Sequence, residues 1–265
     1  MSERLVALVT NDDGVDSEFL RVLVEALQGV YTVWVAAPAN EQSWIGRAVS
    51  RGRPVSTREV EGLGDRAWAI DGTPADCVNI ALGHLVPRQP DVVVSGINLG
   101  FNATVQLILS SGTVAGAVEG ALWGIPSVAF SLQLPPHRFE EIKRANGRVE
   151  GEVKHALQAA AAHAARITGE VIDEGVGIGL RPMPVVHNVN FPPGVSHEAP
   201  MEDTVPALVQ LRSIFAQDSA GHYRFSFPAE RHTVSNPDHS DLACLARGHV
   251  SRTRLDLMAM GMQPR

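Results

Sequence analysis

Short apolar runs alternate with amphipathic stretches over the first half of this chain. Residues 5–9 and 32–37 are apolar runs of strand length, and between them apolar side chains recur at helical spacing from about Ser17 to Gln28. Strands that are apolar on both faces are typical of parallel sheets, whose neighbouring strands are joined by crossover helices. The pattern therefore predicts an α/β fold built from βαβ units around a buried, mostly parallel sheet flanked by helices.

The later segments continue this pattern and then change it. A buried strand is predicted over residues 91–95, a short strand over residues 126–131 and an alternating strand over residues 185–191. Further helices are predicted over residues 75–85 and 153–168. Alternating apolar positions predict a β-hairpin excursion over residues 49–70 and a second hairpin around residues 218–222. Residues 133–151 are polar and are predicted to form a lid or surface loop. We expect a core spanning residues 1–195, followed by a C-terminal hairpin and arm spanning residues 196–265.

Composition and charge limit the classes of partner. The chain has 265 residues, of which 45% are hydrophobic, and this is enough for a sizeable core. Its 29 acidic and 22 basic residues give a net charge of −7, which opposes binding to nucleic acid polymers or anionic membranes. The first residues show no signal-peptide pattern, and no apolar run approaches the roughly 20 residues of a transmembrane helix. We therefore expect a cytoplasmic protein with neither nucleic acid nor membrane partners.

Two adjacent carboxylates follow the first predicted strand. Asp12 and Asp13 precede Gly14 and the first predicted helix. Ligands of open α/β sheets bind at the carboxyl ends of the strands, and paired carboxylates repel each other unless a cation keeps both charged. This favours a hard divalent cation with oxygen ligands, such as Mg²⁺ or Mn²⁺. The same residues also suit an ordinary Asn-Asp-Asp-Gly turn, so this segment alone leaves both interpretations open.

Two further predicted strands are followed by polar side chains at the same edge of the sheet. Ser43 and Asn98 each follow a buried strand, and each by itself suits a loop or turn. Three successive strands that deliver oxygen donors to one edge are less expected by chance than any one of them. The sequence therefore favours one divalent ion held by Asp12, Asp13, Ser43 and Asn98.

A loop of small residues enters another predicted helix at Ser111, Gly112 and Thr113. The free N–H groups and positive dipole at a helix start favour phosphate binding, and the two hydroxyls are additional donors. An ordinary capped helix explains the segment equally well. The chain has neither a Gly-Lys-Ser/Thr sequence nor a G-x-G-x-x-G that follows a strand, which counts against nucleoside triphosphatase and dinucleotide-binding functions.

Five separated segments together resemble the SurE family of stationary-phase survival proteins. Over residues 5 to about 131 these segments are Thr-Asn-Asp-Asp-Gly, Ala-Pro-Ala-Asn-Glu-Gln-Ser, Asp-Gly-Thr-Pro-Ala-Asp-Cys, Ser-Gly-Ile-Asn-Leu-Gly and Ser-Gly-Thr-Val. Residues 188–192 and 240–251 resemble later segments of the family more loosely. The resemblance implies a Rossmann-like core, a swapped C-terminal arm, homodimers or homotetramers, and divalent-metal-dependent hydrolysis of nucleoside monophosphates.

The resemblance also implies roles for individual residues. Asp12, Asp13, Ser43 and Asn98 match the family's metal ligands, which are the four residues already grouped by their positions after strands. Residues 111–113 match its phosphate-binding loop. We predict one divalent ion per subunit, Mg²⁺ or Mn²⁺, with Asp12, Asp13 and Asn98 as the catalytic residues. In this hypothesis one aspartate orients or deprotonates water, while Asn98 and the loop neutralise charge on the phosphoryl group.

The chain departs from the family pattern at three places. Trp44 and Ile45 stand where small residues are usual, and Gln106 and Ser110 stand where an acidic residue and a tyrosine are common. Residues 252–254 read Arg-Thr-Arg instead of Val-Thr-Pro. The first two departures bear on base preference, and the third bears on the packing of the arm.

Two other functions are alternatives at this point. Haloacid-dehalogenase-type phosphatases form an aspartyl-phosphate, although they carry Asp-x-Asp, not Asp-Asp, after the strand. A non-hydrolytic nucleotide or metal sensor would bind the same ligands while Trp44 blocks the substrate. Turnover of a nucleotide distinguishes an enzyme from a sensor.

Overall fold

The chain folds around one large sheet. The computed structural model describes residues 4–176, 184–227 and 231–259. Its strands are β1 (Val6–Thr10), β2 (Thr32–Pro38), β3 (Thr57–Glu59), β4 (Arg66–Ile70), β5 (Val92–Leu99), β6 (Ser127–Leu132), β7 (Val185–Phe191), β8 (Met201–Thr204), β9 (Leu208–Leu211), β10 (Phe215–Gln217), β11 (Tyr223–Phe225), β12 (Arg231–Ser235) and β13 (Val250–Asp256). Its helices are α1 (Glu18–Gln28), α2 (Pro74–Ile80, continued by a π-helical turn at Ala81–Leu85), α3 (Val105–Ser110), α4 (Gly112–Leu122), α5 (Phe139–Arg144), α6 (Gly151–Val176) and α7 (Asp241–Ala246).

The order of strands confirms the predicted α/β class. Nine strands lie in the order β3-β4-β2-β1-β5-β6-β7-β13-β8. The six consecutive strands from β4 to β7 in this order all pair in parallel. β3 lies antiparallel to β4 at one edge and forms the predicted hairpin excursion. The sheet is therefore mostly parallel, and the carboxyl ends of β1, β2 and β5 meet at one edge.

Helices cover both faces of the sheet because the central strands are apolar on both sides. Alternate residues of β1 point to opposite faces, so that Ala7 and Val9 pack with α1 and α6, whereas Val6 and Leu8 pack with α2. The apolar stripe of α1 is buried as its helical spacing predicts. These two packed layers fix β1 rigidly beneath the residues that follow it.

The C-terminal part contributes to the same sheet. β13 pairs antiparallel with β7 and parallel with β8, so the sheet continues beyond residue 195. The predicted second hairpin is formed by β10 and β11, and β9 pairs with β12 beside it. A swapped arm stays a prediction, and residues 260–265 lie outside the described residues.

Several predicted boundaries differ from the structure. α6 continues to Val176 and not only to about residue 168, because Val171 and Ile172 extend its buried face. The predicted loop at 133–151 contains the short helix α5. No helix within residues 4–176, 184–227 and 231–259 combines the length and the apolar composition that crossing a membrane requires.

Candidate active site

The adjacent aspartates lie directly after β1 and are held from two sides. Asp12 is 4% exposed, and its Oδ1 accepts a hydrogen bond from the Thr113 hydroxyl at 2.5 Å. Asp13 is partly exposed, and its Oδ2 accepts from the backbone N–H of Leu99 at 3.0 Å. α4 therefore fixes one carboxylate, and the end of β5 fixes the other.

The start of α4 packs so closely against Asp12 that the first residue of the helix, Gly112, has no space for a side chain. A Cβ on Gly112 would lie 2.8 Å from the Asp12 Cβ and 3.0 Å from its Oδ2, so a larger residue would displace the carboxylate. Ser111 caps the helix by accepting a hydrogen bond from the N–H of Val114 at 3.0 Å. The positive end of the helix dipole thus faces the carboxylate pair.

Burial disfavours the negative charge of both aspartates. Desolvation raises the pKa of Asp12 to about 6, although hydrogen bonds from Thr113 act in the opposite direction. Burial, followed by the neighbouring charge of Asp12, raises the pKa of Asp13 well above its ordinary value. Neither carboxylate forms an ion pair with Lys, Arg or His among the described residues. A bound cation would reverse both shifts, which is the behaviour expected of a metal site.

Asn98 lies inside β5 and not in the turn that the sequence predicts. The pairing of β5 with β6 is irregular between Ser95 and Asn98, and then resumes opposite Ser131. Gly96 permits the irregularity, since it has φ +130° and a Cβ there would lie 2.3 Å from the carbonyl oxygen of Phe130. The Asn98 amide nitrogen donates to the carbonyl of Gly100 at 2.9 Å. No hydrogen bond among the described residues uses its Oδ1, so this oxygen is available as a ligand.

Ser43 lies on an exposed loop that is tied to the aspartates through the backbone. The N–H of Gln42 donates to the carbonyl of Asp12 at 2.7 Å. The Ser43 hydroxyl itself donates to Glu41 Oε1 at 2.5 Å, and the same oxygen pairs with Lys143 of α5 at 2.6 Å. Burial opposes ionisation of Glu41, but the hydrogen bonds from Lys143 and Ser43 hold its pKa below the ordinary value. The residue before Ser43 is thus bonded to the backbone of Asp12, and the Ser43 hydroxyl is bonded to Glu41.

The hydroxyls of Ser111 and Thr113 in the predicted phosphate loop differ in whether their proton is available for a hydrogen bond to a ligand. The Ser111 oxygen accepts from Val114, which leaves its proton free for another acceptor. The Thr113 hydroxyl already donates its proton in a hydrogen bond to Asp12. Ser110 is joined to the Ser43 loop, because its carbonyl accepts from the N–H of Gly46 at 2.9 Å.

Sequence reasoning missed the far wall of the site. A cleft of about 180 Å³ opens beside Asp13, and the side chains that line it include Ser17, Asn40, Glu41, Lys143 and Asn146. The Ser17 hydroxyl is buried and has no hydrogen-bond partner among the residues that the structure describes. No local pattern indicates Lys143, since it comes from α5 and meets Glu41 only through the tertiary fold.

The oxygen donors suit a hard divalent cation. No group of three or more His, Cys, Asp or Glu that would hold a metal occurs within the described ranges. A cation beside Asp12 and Asp13 would therefore need neutral oxygens as well, and the Asn98 Oδ1 and the Ser43 hydroxyl are of the kind that Mg²⁺ and Mn²⁺ accept. The buried Asn11 Oδ1, which has no hydrogen-bond partner within the described part of the chain, adds a further polar atom after β1.

Comparison with known proteins identifies the family to which this chain belongs. The family model described as "Survival protein SurE" matches residues 7–211. The chain belongs to the SurE family. A protein of Geobacter sulfurreducens named "5'-nucleotidase SurE" is 40% identical over 94% of this chain and 87% of its own length. This confirms the family that the five sequence segments predict.

Other members of the SurE family match more locally or more distantly. A "5'-nucleotidase SurE" of Myxococcus xanthus is 51% identical over 126 residues, which span 47% of this chain and 47% of that protein. The chain thus aligns with about half the length of that relative. The crystal structure of the SurE protein from Aquifex aeolicus is 29% identical, covers 95% of this chain and 93% of its own, and superposes with a TM-score of 0.71. The fold is therefore shared with the Aquifex aeolicus protein over nearly the whole of both chains.

Proposed function

We propose that this chain is a divalent-metal-dependent phosphomonoesterase that hydrolyses nucleoside monophosphates to nucleoside and phosphate. The observation that carries the proposal is the adjacent pair Asp12 and Asp13 after β1, with Asp12 held by the start of α4 and Asp13 by the end of β5. The SurE relatives named as 5'-nucleotidases support the substrate class. Membership of a phosphatase family agrees with a site that combines paired carboxylates and a helix start.

The proposed ligands of one ion per subunit, Mg²⁺ or Mn²⁺, are Asp12, Asp13, Asn98 and Ser43. When bound, such an ion supplies positive charge to the phosphoryl group and lowers the pKa of the attacking water. The Ser43 hydroxyl would become a ligand by presenting its oxygen to the ion while it still donates its proton in the hydrogen bond to Glu41. The backbone hydrogen bond from Gln42 to Asp12 supports Ser43 as a ligand, because it attaches the loop to the aspartate.

Each protein group around the proposed ion has a defined task. Thr113 keeps Asp12 ionised and oriented. Asp13 lines the open cleft, so it is the aspartate that we assign to orienting water and accepting its proton. The free proton of Ser111, the N–H groups at the start of α4 and the Asn98 amide neutralise charge on the phosphoryl oxygens.

The charge of the chain and its C-terminal residues bear on partners and assembly. The net charge of −7 supports a small nucleotide over a nucleic acid polymer as the ligand. We propose a homodimer or homotetramer formed through residues 196–265, which light scattering of the purified protein tests. Cytoplasmic location stays a prediction from the sequence.

Phosphate release from a panel of nucleoside monophosphates tests the function. We expect turnover with Mn²⁺ or Mg²⁺ and its loss in EDTA, followed by recovery when the metal is restored. Release that EDTA leaves unchanged would contradict the metal mechanism. Binding of metal and nucleotide without any turnover would favour the sensor. Trapping with a phosphate mimic distinguishes direct attack by water from an aspartyl-phosphate route.

A further inference from the structure

An exposed aromatic cluster lies next to the loop that carries Ser43. The Trp44 ring centroid lies 5.0 Å from that of Phe225 and 5.6 Å from that of Phe227, so the β10–β11 hairpin and its continuation reach this loop. Trp44 is 38% exposed, and the two phenylalanines are 50% and 36% exposed. These three adjoining aromatic side chains form a partly exposed apolar surface, and a ligand that buries this surface would gain binding free energy.

Neither phenylalanine stacks flat on the indole ring of Trp44. The two phenyl planes meet the indole plane at 57° and 54°, so both contacts are tilted and neither ring lies parallel on the indole. A face-to-face position on Trp44 is therefore not occupied by Phe225 or Phe227. Trp44 also has φ +60°, a backbone conformation that bulky residues seldom adopt and that is more frequent at binding sites than elsewhere.

The cluster lies at a suitable place for the non-phosphate end of a nucleotide. Trp44 directly follows Ser43, and consecutive Cα atoms are about 3.8 Å apart. Two residues later, the N–H of Gly46 donates to the carbonyl of Ser110, which precedes the proposed phosphate donor Ser111. The loop thus connects the proposed phosphate site to the aromatic cluster over a few residues. A nucleoside monophosphate has the same layout, with a phosphate at one end and an aromatic base at the other.

We propose that Trp44, supported by Phe225 and Phe227, stacks on the nucleobase of the substrate. Every base has an aromatic face, so stacking gives affinity for nucleotides in general and little choice among bases. The inference rests on the proposed function for its substrate class. Its specific consequence is that this chain prefers a nucleoside monophosphate to a sugar phosphate that lacks the base.

The first experiment compares two substrates that differ only in the base. Adenosine 5'-monophosphate and ribose 5-phosphate are assayed with the wild-type protein, Trp44→Ala and Trp44→Phe. We expect Trp44→Ala to lower kcat/KM about ten-fold for the nucleotide, within the range that stacking on one aromatic side chain supplies, and to change the value for ribose 5-phosphate less than about two-fold. Trp44→Phe should retain most of the preference, because it keeps an aromatic face and also shows that the loop tolerates substitution.

The second experiment measures nucleotide binding by tryptophan fluorescence in the absence of turnover. In EDTA, adenosine 5'-monophosphate should quench tryptophan fluorescence, whereas ribose 5-phosphate should not. Trp34 and Trp68 are each 6% exposed, and the other exposed tryptophan is Trp123 at 44%. We expect Trp44→Phe to abolish the quenching and the matched control Trp123→Phe to keep it.

The outcomes separate this inference from the proposed function. If no phosphomonoester is hydrolysed with either metal, the proposed function fails, and the fluorescence measurement still decides whether Trp44 binds a base. If turnover occurs but Trp44→Ala affects both substrates equally, or neither, base stacking is wrong. A change in oligomeric state of Trp44→Ala on gel filtration, with an unchanged substrate preference, would identify the cluster as a contact between copies of this chain and would also overturn the inference.

Discussion

The two sides of the candidate site are built in opposite ways. On one side, Asp12 is buried between β1 and α4, with Thr113 bonded to its carboxylate and Gly112 against its Cβ. On the other side, Ser43 and Trp44 lie on an exposed loop. Backbone hydrogen bonds attach this loop to the core, and its side chains make a surface ion pair and contacts with two partly exposed phenylalanines. The first side is part of the core, whereas the second is attached to it.

This difference separates chemistry from substrate choice. Groups that act on the phosphoryl oxygens must keep their positions to within a fraction of an ångström, and close packing supplies that precision. Groups that contact the rest of the substrate can vary in position and residue type. Exposed loops allow this variation without destabilising the core. Substitutions on the buried side should therefore remove catalysis, whereas substitutions on the exposed side should change rates by small factors.

Asp13→Asn should have the largest effect. The change keeps the size of the side chain but removes one of two charges that a cation needs and the group assigned to accept a proton. We expect kcat/KM to fall by about 1,000-fold, in the range for loss of a positioned acid or base, and Mn²⁺ affinity to fall in calorimetric titration. The control Asp173→Asn lies on the exposed face of α6 and should leave both unchanged. Activity within ten-fold of the wild type would rule out this role for Asp13.

Gly112→Ala should come next. The added methyl group would lie 2.8 Å from the Asp12 Cβ and 3.1 Å from the Gln42 carbonyl oxygen, so both the carboxylate and the Ser43 loop must move. We expect about a 100-fold loss of kcat/KM, consistent with the cost of misplacing reacting groups by about 1 Å, and a destabilisation of about 1–3 kcal/mol from overpacking. Gly83→Ala is the matched control, since the nearest atom to its Cβ is 3.9 Å away. Thermal unfolding of both variants distinguishes a displaced carboxylate from a general loss of fold.

Thr113→Val should have a smaller effect on the same side. It keeps the shape of the side chain but removes the hydroxyl that donates to Asp12, which then faces burial with one hydrogen bond fewer. We expect metal affinity to fall about ten-fold, as is typical for groups that orient a ligand. Thr168→Val removes a buried hydroxyl bonded at 2.7 Å to the Ala164 carbonyl in α6 and should leave metal affinity unchanged. Equal metal affinity in the wild type and Thr113→Val would show that this bond does not support the site.

The buried side was predictable from sequence because its signals are local. An apolar run followed directly by Asp12 and Asp13 predicts both the strand and the position of the carboxylates at its end. Small residues at 111–113 likewise predict a helix start that can come close to another element. The same local reasoning placed Asn98 in a turn, because the irregularity at Gly96, after which the strand resumes, depends on the neighbouring strand β6.

The exposed side and the last strands depend on contacts between distant segments. β13 reads Val-Ser-Arg-Thr-Arg-Leu-Asp, which lacks the continuous apolar run of a buried strand. It joins the sheet because β7 and β8 supply its backbone partners and Asp203 pairs with Arg252 at 2.7 Å. The pairing of Lys143 with Glu41 has the same origin. Neither pairing leaves a periodic pattern in the sequence, so neither was predictable from one chain.

Glu41→Gln should have the smallest effect. It tests most directly whether the exposed side of the site matters less for catalysis than the buried side. Glu41 pairs with Lys143 at 2.6 Å and accepts the Ser43 hydroxyl at 2.5 Å, but the side chains of Glu41 and Lys143 are 41% and 37% exposed. Exposed pairs of this kind contribute about 0–1 kcal/mol, so we expect kcat/KM to change less than about five-fold and the change to shrink at high salt.

Combining variants measures the contribution of the ion pair between Glu41 and Lys143. Lys143→Met should match Glu41→Gln, and the double variant should be no worse than either one, because both remove the same interaction. Glu141→Gln is the control, since it breaks the neighbouring pair with Arg138, which lies 3.0 Å away, and leaves Lys143 in place. A loss above about 100-fold in Glu41→Gln, with Glu141→Gln unaffected, would mean that Glu41 is fixed as firmly as Asp12. In that case the division into a buried catalytic side and an exposed selective side would not hold, because positioning of Ser43 would then depend on a surface carboxylate.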